Sequence, residues 1–139
     1  MSQPPPSATE ARLGQAASLP EVLAAGFDAF ETIRITARHH QDQLPGLFAA
    51  FMTAADAAVD GREALTIAPS LPRHGHTEPA IAVPPDAGTG EAADALASLA
   101  IMLRDRLTQA AARAGAPGDR EACQQAAEAA GRIGELMTR

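Results

Sequence analysis

Tryptophan, tyrosine, lysine and asparagine are all missing from this 139-residue chain, which carries one cysteine and four aromatic residues, every one a phenylalanine. The single cysteine, Cys123, excludes an intrachain disulfide and a cysteine-pair zinc site. With so few rings, burial must come from many small contacts, and alanine, roughly a quarter of the chain, supplies them. All 11 basic residues are arginine. Arg, Ala, Gly and Pro have GC-rich codons and Lys and Asn AT-rich ones, so the bias marks a high-GC bacterial genome rather than selection for guanidinium chemistry. The formal net charge is -6 and the pI about 5.1, with no basic run, which argues against direct nucleic-acid binding. Long apolar runs are missing too: ALASLAIML, 95–103, ends at Arg104 and Asp105, well short of the roughly 20 residues a membrane span needs. The opening MSQPPPSATEAR has neither a basic region nor an apolar stretch, so no secretory signal is expected and a soluble, cytoplasmic protein follows.

What is present is helical patterning on a chain long enough for one core. Residues 1–17 combine Pro4 to Pro6 with small polar residues and Gly14, a composition expected to form a disordered arm. Residues 18–139 are expected to form one helical domain, with 69–90 as an internal linker. Ser18, Pro20 and Glu21 make a helix start, the serine capping and the acid sitting three residues on. Leu23, Phe27, Phe30, Ile33 and Ala37 then recur at helical spacing. RHHQDQ, 38–43, reads as a turn, with Asp42 capping a second helix over about 43–59 whose stripe includes Leu44, Leu47 or Phe48, Phe51 and Ala58. Asp60-Gly61 is a turn signal, although 62–68 is also compatible with helix, which leaves the end open between Val59 and Ala68.

The segment 69–90 carries five prolines and three glycines, which interrupt regular structure. A third helix is capped at Thr89 or Gly90, places Glu91 at its positive end, runs through Leu99, Leu103 and Leu107, and stops at Gly115 and Pro117. Asp119 caps a fourth, whose stripe passes Ala122 or Cys123, Ala126 and Ile133. Short connections make antiparallel neighbours, so the reading is all-α: two antiparallel helical hairpins joined by a long Pro/Gly-rich crossover, forming a four-helix bundle. Folding the first hairpin near 39–42 sets Phe30 beside Phe48 and Phe27 near Phe51, so that the rings clamp it together.

Residues able to carry chemistry are few. His74 and His76 with Glu78 form the most ligand-like cluster, but Gly75 and the flanking prolines leave them unanchored and a structural zinc needs four ligands, so a solvated loop and no metal are expected. His39 and His40 suit a helix C-terminus, where the macrodipole favours a cation. Cys123 lies among alanines and reads as a small buried residue. GTGE, 88–91, lacks the spacing and lysine of a phosphate loop and reads as a cap. Asp56 with Asp60, and Glu128 with Glu135, have spacings common on solvated faces and no partner that would define an acid and base pair. Arg104, Arg106, Arg113 and Arg120 form the densest basic group, interrupted by Asp105, Asp119 and Glu121, as on a salt-bridged surface.

LPEVLAAGFDAFETIR, LFAAFMTAADAAVDGREAL and DREACQQAAEAAGRI resemble small Ala/Arg-rich helical proteins of high-GC actinobacteria, and the resemblance brings no catalytic or ligand motif with it. The residues themselves point to a noncatalytic protein-interaction or small accessory module, homodimeric in one form, with an interface at apolar positions outside the stripes: Val22, Ile35, Met52 and Ile101. The alternative is a small-ligand-binding bundle or ligand-responsive regulator with an apolar pocket at Phe27, Phe30, Phe48 and Phe51. Neither reading calls for a cofactor or a catalytic residue; each implies a partner that is a protein or a small ligand, without nucleic acid or membrane.

Overall fold

The computed structural model describes residues 8–43, 45–72, 82–83 and 86–138. Among these the chain is all-α, with five α-helices: α1 (Ala8–Gln15), α2 (Leu19–His40), α3 (Phe48–Thr66), α4 (Thr89–Arg113) and α5 (Pro117–Met137). A 3-10 turn, Pro45–Leu47, leads into α3. α2 starts where its capping residues predict: Ser18 Oγ accepts from the Glu21 backbone N–H at 3.3 Å, and the Glu21 carboxylate accepts from the Ala17 N–H at 2.9 Å. The first bond satisfies a backbone donor that a helix start otherwise leaves unpaired, and the second ties down the residue before the cap.

The apolar stripes close on one core. α2 packs against α3 and α4, and α5 packs against the same two helices from the other side. The largest fully buried side chains include Phe30, Phe51, Leu23, Ile33, Leu103 and Ile133, drawn from all four long helices. Small residues let those helices approach closely: Ala29, Ala54, Ala100 and Ala130 are all fully buried.

Several expectations need correction. The Phe clamp does not form, because α2 continues to His40 and the turn comes later than residues 39–42. Phe30 instead faces Gly61, where an added Cβ would overlap its ring, and ten residues on His40 faces Phe51, with ring centroids 6.3 Å apart. This antiparallel register sets Phe48 about 20 Å along α3 from the point that meets Phe30. The second helix accordingly starts at Phe48 rather than at about 43, runs straight through Asp60-Gly61, and ends at Thr66, within the range from Val59 to Ala68 that the sequence left open. Gly61 serves close approach, not a turn: the Phe30 ring fills the space a side chain would take.

Residues 8–15, expected within a disordered arm, form α1; residues 1–7 lie outside the described residues. Long-range polar contacts hold α1. Arg12 pairs with the buried Asp28 at 2.9 Å, Thr9 and Thr32 share a buried hydroxyl hydrogen bond at 3.2 Å, and Arg106 of α4 donates to the Ala16 carbonyl just beyond the helix. Leu13 is fully buried beneath them.

Asp119 is not a cap. α5 begins two residues earlier, behind Ala116, and the buried Asp119 carboxylate accepts from the Ser70 N–H at 3.0 Å and from its hydroxyl at 2.6 Å, tying the chain after α3 to the start of α5. α4 begins at Thr89 behind Gly88. Within the 69–90 segment the Ala82 N–H donates to Thr36 Oγ1 at 2.9 Å, and Leu71 and Ala82 pack on the core, so the segment is docked at both of these points.

Candidate functional site

The four phenylalanines do not make a box. Phe30 and Phe51 are core residues, Phe27 is half-buried, and Phe48 is 38% exposed. The expected interface is also dispersed. Val22 is buried, which corrects its assignment to an interface, and Ile35 is half-buried. Met52 on α3 and Ile101 on α4 are exposed, 43% and 44%, but those helices each pack on α2 and α5. Phe48 and Met52, one turn apart, make a small apolar patch on α3. A cavity of about 190 Å³ lies near it, lined by Leu47, Phe51, Ala93 and Leu136, with Asp94 at its edge.

The titratable groups divide cleanly. Burial raises the Glu31 carboxyl, but hydrogen bonds from Arg34 (3.0 and 3.2 Å) and Arg62 (2.6 Å), with their charges, outweigh it and hold the group below its usual range. The result is an α2–α3 staple. His40 is fully buried, and neither ring nitrogen reaches a hydrogen-bond partner. Burial and then the neighbouring His39 lower its pKa, against a smaller opposing effect of the Gln43 side chain. That environment favours a neutral imidazole packed on Phe51 rather than a charged C-terminal cap. Cys123 is fully buried, and burial followed by Asp119 pushes its thiol up to about 11, as the reading of an inert core residue requires. No group of three or more His, Cys, Asp or Glu side chains suited to a metal occurs among the described residues. His74 and Glu78, with His76, lie outside them.

A larger concave surface lies elsewhere, along the seam of α4 and α5. A groove of about 630 Å³ is floored by Ala111, Ala112, Ala127 and Gly131 and rimmed by charged and polar side chains from both helices. A second hollow of about 180 Å³ continues it past Ala130, Gly134 and Ile101 toward Thr138. Small residues create the depth: a methyl group at Gly131 would lie 3.6 Å from Arg104 Cδ, and one at Gly134 would lie 3.7 Å from Ile101 Cγ1. These two pairs also set the antiparallel register of α4 on α5. Along the rim Arg120, Glu128, Arg104 and Glu135 follow in that order, alternating in sign.

The sequence grouped Arg104 with Arg120 and Glu128 with Glu135, and set Ile101 apart as an apolar position, without bringing the three onto one seam. The signal left unused was the pair of glycines, three residues apart, inside an otherwise strong helical pattern. No protein-family model matches the chain, nor does any curated protein or solved structure. No helix among the described residues is long and apolar enough to cross a membrane.

Proposed function

We propose that this is a noncatalytic protein-interaction module of the cytoplasm, a four-helix bundle of two antiparallel hairpins joined by the 69–90 crossover, whose docking face is the α4–α5 groove. The groove itself carries the reading. It is open, about 630 Å³ in its main part, shallow enough for a helix or extended segment to lie in, and floored by alanine and glycine that allow close backbone approach. Its exposed rim mixes both signs of charge, which suits a protein surface better than a phosphate backbone. Among the described residues the buried titratable groups act as packing or stapling elements: Asp119 ties Ser70 to the start of α5 and, with burial, pushes the Cys123 thiol up rather than activating it. The small-ligand alternative rests on the cavity beside Phe51. At about 190 Å³ it falls below the roughly 300–1,000 Å³ typical of ligand pockets, so the docking role is favoured.

The test is site-specific photo-crosslinking in the native host from Gln124, inside the groove, with Arg38 on α2 as an exposed control. Protein adducts should form from Gln124 well above those from Arg38. Equal yields from the two positions would remove the groove as the docking face.

A further inference from the structure

Resting on that docking role, we infer that the occupant of the α4–α5 groove is a second copy of this chain, docked antiparallel. The argument is the order of charges. Taking Arg120 as origin and about 1.5 Å per helical residue, Glu128 stands at about 12 Å, Arg104, level with Gly131, at about 16 Å, and Glu135 at about 22 Å. The signs therefore run plus, minus, plus, minus. Read from the opposite end they are inverted, so a two-fold axis across the groove sets opposite charges at facing levels.

With the axis midway between the levels of Glu128 and Arg104, each Arg104 meets the level of the partner's Glu128. Each Glu135 then lies about 6 Å along the axis from the partner's Arg120, within the span of an extended arginine side chain. Such an arrangement is isologous: the same surface serves both copies, as in most small symmetric assemblies.

The charges are also available. The carboxylates of Glu128 and Glu135 have no partner among the described residues, Arg104 makes only an exposed contact of 3.8 Å with Asp105, and Arg120 donates to the Ala114 carbonyl at 3.0 Å with no carboxylate partner among the described residues. Each copy therefore presents unpaired carboxylates to arginines that a second copy supplies. Area is sufficient as well. A face about 30 Å long and two helices wide covers about 600 Å² per copy, or about 1,200 Å² in all, at the lower edge of stable specific interfaces.

Charge reversal tests this without touching the core. Size-exclusion chromatography with light scattering, read by refractive index because the chain has no Trp or Tyr, should give the parent a mass near twice 14.3 kDa at high micromolar concentration. Arg104→Glu alone leaves two facing carboxylates per contact and Glu128→Arg alone two facing guanidiniums, so each should be monomeric, with self-association at least about tenfold weaker. An equimolar mixture of the two variants restores opposite signs at both contacts and should run as a dimer. Unchanged circular dichroism at 222 nm verifies that both variants fold. A monomeric parent overturns the inference, and so does a mixture that stays monomeric while each variant is folded. If the parent is monomeric but Gln124 cross-links a different protein, self-association fails and the docking role stands. If Gln124 yields no adduct above the control, the docking role fails with it.

Discussion

Adding one methyl group at Gly61 sets two opposed effects against each other on the same residue. Alanine in a helix interior is worth about 1 kcal/mol over glycine, because less backbone entropy is lost on folding. At Gly61 the new Cβ would sit 2.8 Å from Phe30 Cδ1 and closer still to Cε1 and Cζ. The Phe30 ring is fully buried, so it has no empty space to move into. Overpacking a well-filled core costs typically about 1–3 kcal/mol, and three ring atoms inside contact distance place this site in the upper part of that range. The net expectation is a loss of about 1–2 kcal/mol, or a melting temperature about 3–7 °C lower for a chain of this size. Thermal and urea unfolding followed by circular dichroism at 222 nm measures it. Phe30→Leu supplies the control. The helix-propensity gain is the same in either background and cancels, whereas the clash is largely relieved once the ring is gone, so a double-mutant cycle should give a favourable coupling of about 2–3 kcal/mol, larger than the net loss in the parent. Gly61→Ala melting at or above the parent, or a coupling near zero, would refute the close-approach reading and return Gly61 to a turn-forming role.

Other outcomes follow from the same core. Phe51→Ala should cost about 3–5 kcal/mol, while Phe48→Ala, at the surface, should cost about 1 kcal/mol or less; equal losses in urea titrations would refute the register of α2 on α3. His40 has a pKa below the ordinary 6.5, so the unfolded chain takes up its proton first. Stability from the neutral imidazole is therefore complete above about pH 6.5 and is lost as pH falls toward the lower folded value. His40→Leu should flatten that part of the stability profile, and an unchanged slope would count against it. Glu31 is also depressed, so its contribution is present above the ordinary carboxylate range and lost as pH drops through the folded pKa. Glu31→Gln, which leaves Arg34 and Arg62 without their shared carboxylate, should cost about 1–3 kcal/mol near neutrality. Cys123, its thiol pushed up to about 11, should react with a maleimide at pH 8 only after urea unfolds the chain; rapid labelling of the native protein would contradict its burial.

The helices were legible wherever the deciding residues lie close in the chain. Ser18 and Glu21 mark the start of α2 because capping is settled within a turn, and the stripes through Leu23 to Ala37 and Leu99 to Leu107 mark buried faces because the helical period is local. α1 escaped notice for the opposite reason. Eight residues do not sustain a helix in water, and what holds this one is Asp28, Thr32 and Arg106, each far along the chain. The groove was legible only in pieces: Ile101 and the arginines of α4 and α5 were visible, but their alignment depends on Gly131 facing Arg104 and Gly134 facing Ile101.

By itself, then, the sequence determined an all-α chain with an alanine-built core, an arginine-only surface, a buried cysteine and a long interruption after α3, since composition and period act over a few residues. Tertiary structure alone decided the register. A glycine has the same letter whether it bends the chain or admits a neighbour, and only Phe30, thirty-one residues away, makes Gly61 the second kind. The same dependence on distant partners made Asp119 a tie to Ser70 instead of a cap, moved Val22 from an interface into the core, and aligned four alternating charges along one groove.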